Sequence, residues 1–89
     1  MTGGIEVKEK RIGVIGIVIN DRETAAPKVN GILSEYADII IGRMGIPYRE
    51  RNISVISLTF EGDTDQIGAL TGKLGSIKEV EVKSVICSK

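Results

Sequence analysis

The chain has 89 residues, and its 12 basic and 12 acidic side chains cancel to a formal net charge of zero. This length allows one domain, whose core must be aliphatic because the aromatic residues are two tyrosines and one phenylalanine. The balanced charge gives no general attraction to nucleic acid or to an anionic membrane, and no apolar run approaches the roughly 20 residues that span a bilayer.

The single cysteine and the absence of histidine narrow the chemistry further. Cys87 has no cysteine within the chain with which to form a disulfide, and the first residues lack the layout of a signal peptide, so we expect a cytoplasmic protein. Without histidine the chain lacks the commonest general base and the commonest metal ligand. Helix capping accounts for Asp63 and Asp65 without a metal. We therefore expect no enzyme activity, no metal site and no cofactor.

The first third of the chain predicts an arm, a strand and a helix. Residues 1–10 show no apolar period and are predicted to be a flexible N-terminal arm, before a domain that covers 11–89. Arg11–Ile19 is apolar on both alternating faces, which is typical of a central strand. A helix follows that either Asp21 or Thr24 could cap, and Thr24 is favoured because it places Pro27 in the first turn.

The middle of the chain predicts an antiparallel hairpin, with runs Asp38–Ile46 and Ile53–Phe60 joined by Pro47–Asn52. A second helix begins at Asp63 or Thr64 and ends near Gly75. The last strand, Glu79–Cys87, alternates, and its inward set is Val80, Val82 and Ile86.

The order β-α-β-β-α-β predicts an α+β fold, the ferredoxin-like sandwich. Its four-stranded antiparallel sheet has strand order 4-1-3-2, and both helices lie on one face. Two helices cover only that face, while the first three strands place aliphatic residues on the other one. A bare aliphatic face of this size predicts a homo-oligomer, either a dimer or a tetramer.

Other proteins of this topology need side chains that the chain lacks. An RNA-recognition module needs stacking aromatics on its third strand, which here reads ISVISLTF. A soft-metal chaperone needs a Cys-x-x-Cys pair after the first strand, where this chain has NDRE. We therefore expect no direct binding of nucleic acid.

Arginines of the hairpin are the residues hardest to explain by packing alone. Arg43 lies inside an otherwise apolar strand. It either lies at a rim in an ion pair with Glu50 or an aspartate, or it reaches an anion or a partner's carboxylate. In the second case Pro47 and Tyr48 would shape the mouth of an anion site, and Arg49 would lie beside them.

At this hairpin the sequence resembles a known family. The run DIIIGRMGIPYRER, then ISVISL and DQIGALTGKLG, is similar to the iron-only (FeFe) hydrogenase system regulators, as is the opening strand RIGVIGIVIND. The similarity extends from Arg11 to about Lys83, and Gly42–Tyr48 is its most specific part.

The resemblance implies an ACT-like domain, akin to the C-terminal domain of the nickel-responsive repressor. It also implies a small regulator of the iron-only hydrogenase system. A nickel site like that of the repressor is excluded, because such a site depends on histidines. The ten residues before Arg11 are too few for a ribbon-helix-helix segment, so we expect no direct contact with DNA.

By analogy with ACT domains, an effector site would lie at a subunit interface beside the turn after the first strand. Asn20, Asp21 and Arg22 are the polar groups there, and the amine and carboxylate of an amino acid, or a small anion, could pair with Asp21 and Arg22. A plain solvated turn is the simpler interpretation. The hypothesis is a non-enzymatic, self-associating regulatory domain that binds a small effector. The alternative is an adaptor that docks another protein through its open sheet face or its Arg43–Arg51 loop.

Overall fold

The structure is a computed structural model that describes residues 9–88. The predicted arm therefore lies almost entirely outside the described residues. The strands and helices, in chain order, are β1 Arg11–Ile19, α1 Arg22–Glu35, β2 Ile40–Tyr48, β3 Ile53–Gly62, α2 Thr64–Gly75 and β4 Val80–Ser88, with single 3-10 turns at Ala37–Ile39 and Arg49–Arg51.

The four strands form one antiparallel sheet in the order β2-β3-β1-β4. This is the predicted topology read from the opposite edge, so the predicted α+β, ferredoxin-like arrangement is confirmed. In the register of the two central strands, Ile17 of β1 lies opposite Ile56 of β3, and Ile15 lies opposite Leu58. Residues directly opposite each other share a face, so these pairs point together toward the helices.

The core lies between the helices and one face of the sheet. Each buried leucine or isoleucine contributes roughly 1.5–3 kcal/mol relative to an exposed side chain. The central members of this core are Ile15, Ile17 and Ile19 of β1, Ile56, Leu58 and Phe60 of β3, Ala25, Val29 and Leu33 of α1, and Ile67, Leu70 and Leu74 of α2. These residues recur every three or four positions along the helices and every second position along the strands, as one buried face of each element requires.

The N-cap of α1 differs from the prediction. Asp21, not Thr24, caps the helix, and its Oδ1 accepts a hydrogen bond from the backbone N–H of Thr24 at 3.2 Å. Pro27 therefore lies in the second turn, where it removes the bond to the Glu23 carbonyl. Both residues are exposed, so that carbonyl stays on the solvent side of the helix.

The start of α2 agrees with the prediction. Asp63 caps it through a capping box: the backbone N–H of Gln66 donates to Asp63 Oδ1 at 2.8 Å, and Gln66 Oε1 accepts from the backbone N–H of Asp63 at 3.0 Å.

The two outer strands also depart from the predicted pattern. Strand β2 continues through Pro47 and Tyr48, so the connection to β3 shrinks to the turn Arg49–Arg51 and Asn52. A proline is tolerated there because β2 is an edge strand. On β4, Val80 is buried as predicted, and the register places Ile86 on the helix-side face as predicted, but Ile86 is 45% exposed. It lies opposite Gly13, beside a break in the β1–β4 register at the end of the sheet.

Gly13 marks a close approach of the backbone. A Cβ atom at this position would overlap the Val85 carbonyl oxygen and would lie 2.7 Å from Phe60 Cζ. The first obstacle is backbone and the second is a fully buried ring, so neither can move aside at low cost. Only glycine fits this point of the sheet.

Gly13→Ala is expected to lower the free energy of unfolding by about 1–3 kcal/mol, because the added methyl overpacks the β1–β4 contact. Urea denaturation at one fixed protein concentration measures this change. Gly45→Ala is the matched control, since its Cβ would meet only Ile56 Cγ1 at an ordinary 3.9 Å. An equal loss for both variants would contradict the close-approach argument.

Candidate functional site

Two regions of the surface stand out, namely the uncovered face of the sheet and the end of the sheet where β1 meets α1. We call the face opposite the helices the open sheet face. By strand alternation and register it carries exposed large apolar side chains, which are Ile12 and Val14 of β1, Met44, Ile46 and Tyr48 of β2, and Val85 of β4. The predicted bare aliphatic face is therefore present in the single chain.

Asn20 lies where β1 ends and joins this point to the start of β4. Its backbone N–H donates to the Glu79 carbonyl at 2.8 Å. Its side-chain Nδ2 donates to the same carbonyl at 3.4 Å and to Glu81 Oε2 at 3.2 Å. The Asn20 amide thus has partners within the chain and fixes the geometry of the turn.

Asp21 lies beside a shallow hollow of about 430 Å³ between the start of α1 and the α2–β4 connection. The hollow is lined by two acids, two lysines and small or aliphatic groups, namely Asp21, Thr24, Ala25, Lys28, Ile77, Lys78 and Glu79. We call it the mixed-charge hollow. Positive and negative groups on opposing walls suit a small ligand that carries both charges.

Arg22 lies beside a different hollow, which Glu23, Ala26, Asn52 and Ser54 also line. Consecutive helical residues point about 100° apart, so the first residues of α1 address different sides of the helix. Within one copy of the chain, Asp21 and Arg22 are therefore not brought into the same hollow.

The hairpin residues are also separated. Arg43 Nη2 donates to Asn30 Oδ1 of α1 at 2.7 Å, so the partner within the chain is a helix amide and not Glu50. Arg43 pairs with Leu58 in the sheet, whereas Tyr48 pairs with Ile53. At about 3.3 Å per residue, Arg43 lies roughly 16 Å along β2 from Tyr48. Arg49 is exposed in the 3-10 turn that follows Tyr48.

Three residues of the mixed-charge hollow were not predicted from the sequence, namely Lys28, Lys78 and Glu79. Lys78 and Glu79 lie more than 50 positions from Asp21 in the chain. Glu79 also has a φ of 70°, a left-handed conformation that is uncommon outside glycine, asparagine and aspartate. The surrounding hydrogen bonds to Asn20 hold it there, and no local sequence signal indicates this.

Other site types were sought along the described chain. Between residues 9 and 88 there is no group of three or more histidine, cysteine, aspartate or glutamate side chains that could hold a metal ion. Across the same residues, neither helix is long and apolar enough to cross a membrane.

Comparison with known proteins identifies the family. Residues 11–84 match the TM1266-like family model, which describes a proposed regulator of the iron-only hydrogenase system. The chain is 45% identical to uncharacterized protein TM1266 from Thermotoga maritima, with a TM-score of 0.87, and the match covers 90% of this chain and all of that one (100%). The chain therefore belongs to the TM1266-like family, and the predicted family resemblance is confirmed.

More distant structures share the fold alone. A formyltetrahydrofolate deformylase from Pseudomonas putida KT2440 matches with a TM-score of 0.61 at 10% identity, over 85% of this chain and 29% of that one. An unknown protein from Galdieria sulphuraria matches with a TM-score of 0.61 at 10% identity, over 91% of this chain and 47% of that one. A search of the curated proteins found no match.

The left-handed conformation of Glu79 gives a test of the site's backbone. Glu79→Gly is expected to keep or raise the free energy of unfolding, by up to about 1 kcal/mol, because glycine adopts a positive φ without strain. Glu79→Val is expected to lower it by roughly 1–2 kcal/mol, since a β-branched residue is disfavoured there. Urea denaturation measures both changes.

The same two substitutions at Lys78, which has no positive φ, provide the control. There glycine should be the more destabilising of the two, because it adds unfolded-state entropy without relieving strain. A more stable valine variant at position 79 would contradict the argument.

Proposed function

We propose that this chain is a non-enzymatic regulatory domain that self-associates and binds a small effector in the mixed-charge hollow. Membership of a family described as regulators of the iron-only hydrogenase system supports the regulatory role. The observation that carries the effector site is the hollow itself, which Asp21 and Lys28 line from the α1 side and Lys78 and Glu79 line from the α2–β4 connection.

The charges of this hollow favour a free amino acid or a similar zwitterion. An ammonium group can pair with the acids, while a carboxylate can pair with the lysines and lies near the positive end of the α1 dipole. Ala25 and Ile77 supply apolar contact for a short aliphatic side chain. A small anion would use the lysines alone and would bind more weakly, because the acids repel it.

The distribution of apolar surface supports self-association. Met44 is 63% exposed and Val85 is 57% exposed, and both lie on the open sheet face. Exposed apolar patches of this kind mark interaction surfaces on soluble proteins. The relation to ACT domains, which places effectors at subunit interfaces, is part of the proposal.

A protein-interaction adaptor is the second candidate, and the exposure of β2 favours it. Every residue from Ile41 to Tyr48 is exposed, as are the following residues through Asn52. An edge strand open on both faces can pair with an extended segment of another protein. In that case the hairpin, and not the hollow beside Asp21, would carry the function.

Isothermal titration calorimetry with the twenty amino acids and with phosphate, acetate and sulfate, up to several millimolar, tests the effector site. We expect saturable binding of one amino acid. Asp21→Asn should weaken it at least tenfold, because asparagine keeps the helix cap but removes the charge that meets the ammonium group. Lys78→Gln should weaken it similarly.

Arg22→Gln is the matched control, since this side chain lines the other hollow and its loss should leave the affinity unchanged. Loss of binding in Arg22→Gln but not in Asp21→Asn would move the site to the opposite side of the helix. Absence of binding for the whole panel would overturn the effector proposal and favour the adaptor.

A further inference from the structure

The centre of the open sheet face is a shallow trough. Gly16 of β1 lies opposite Ser57 of β3 on one side and Lys83 of β4 on the other, and Ser57 in turn lies opposite Met44 of β2. One row across the sheet therefore reads Met44, Ser57, Gly16, Lys83. A hollow of about 520 Å³ opens above Gly16, bordered by Val18, Glu81 and Lys83.

Among residues 9–88, nothing requires glycine at position 16. A Cβ atom there would meet no atom within 4 Å, in contrast to Gly13 of the same strand. Glycine in a strand interior costs roughly 0.5–1 kcal/mol relative to alanine and often marks a close approach by another molecule. The open space above Gly16 is therefore a recess that no side chain of residues 9–88 fills.

The open sheet face complements a second copy of itself. Consider two stacked sheets related by a twofold axis that runs parallel to β3, above Ser57 and between the sheets. This axis places β2 of each copy over β1 of the other. It places Met44 opposite Gly16 of the second copy, and Gly42 opposite Val14, because these residues share rows through Ser57 and Thr59. Met44 and Val14 then each meet a glycine, as interdigitating sheet packing requires, and in the next row Ile46 meets Val18 in an apolar pair.

Charge and area agree with this arrangement. Glu81 and Lys83 of β4 border the recess on the side away from β3, at the edge of the three strands that overlap, where a solvated rim suits them. Three strands about 4.8 Å apart and nine residues long present roughly 430 Å² per copy in flat projection. Projecting side chains raise the buried total for two copies to the order of 1,000 Å², which a specific interface needs.

We infer that the open sheet face is an interface between two copies of this chain, in which Met44 of each copy seats over Gly16 of the other. This inference rests on the self-association in the proposed function and adds the surface and the register. It is independent of the effector, because the mixed-charge hollow lies at the end of the sheet and not on this face.

Analytical ultracentrifugation of the full chain tests the inference. The wild type should sediment as a dimer, or as a tetramer that contains this dimer, at low micromolar concentration. Gly16→Leu should halve the mass or weaken association at least tenfold, with an unchanged far-UV circular dichroism spectrum, because the leucine fills the recess without any clash inside the monomer. Gly42→Leu should act likewise.

Gly72→Leu is the matched control, since it adds the same bulk at an exposed glycine of α2 that also has open space. It should leave the assembly intact. A wild-type oligomer that survives both Gly16→Leu and Gly42→Leu overturns the inference alone, whereas a monomeric wild type overturns it together with self-association. Effector titration of the same samples reports on the hollow separately.

Cross-linking provides a second measurement that does not depend on the leucine variants folding. In a Cys87→Ser background, mixing Met44→Cys with Gly16→Cys under mild oxidation should give a covalent dimer. Mixing Met44→Cys with Gly72→Cys is the control. Equal cross-linking in the two mixtures would overturn the assigned register.

Discussion

Strand β1 is apolar on both of its faces, and the two helices of the fold cover only one of them. Ile15, Ile17 and Ile19 are buried in the core, where they form one cluster with Phe60 and with buried residues of α1 and α2. The alternate residues, including Val14 and Val18, are left without a layer above them. This imbalance fixes the α+β architecture on one side and leaves an exposed apolar surface on the other.

The end of β1 is the second organising point, because three elements meet there. Asn20 binds the start of β4 by its backbone and its side chain, and Asp21 then starts α1 by capping it. Asn20 donates hydrogen bonds to the carbonyl of Glu79, a residue with a left-handed backbone conformation that lies immediately before β4. The hydrogen bonds that join the end of β1 to the start of β4 therefore also position residues that line the mixed-charge hollow. The candidate site is part of this turn.

Much of the fold follows from local signals in the sequence, and most of the site does not. The two-faced apolar run of β1 and the Asp63–Gln66 capping box are local patterns, and both are realised. The N-cap of α1 is Asp21 and not the favoured Thr24, because an exposed proline is tolerated in the second turn. Lys78 could not be assigned to a site, because only the packing of α2 and β4 against α1 brings it near Asp21.

The glycines of β1 show why the character of the open sheet face is hard to predict from the sequence but can be identified in the structure. Gly13 and Gly16 occupy the same strand, three residues apart, and no local sequence pattern indicates which of them the packing requires. The structure separates them, because Gly13 is required by the Val85 backbone and Phe60, while Gly16 faces empty space. A glycine that weakens its own strand and serves no contact among residues 9–88 is the feature on which the inferred interface rests. Met44 lies in the same row across the sheet and is exposed in the single chain. Its side chain has a suitable length for the space above Gly16.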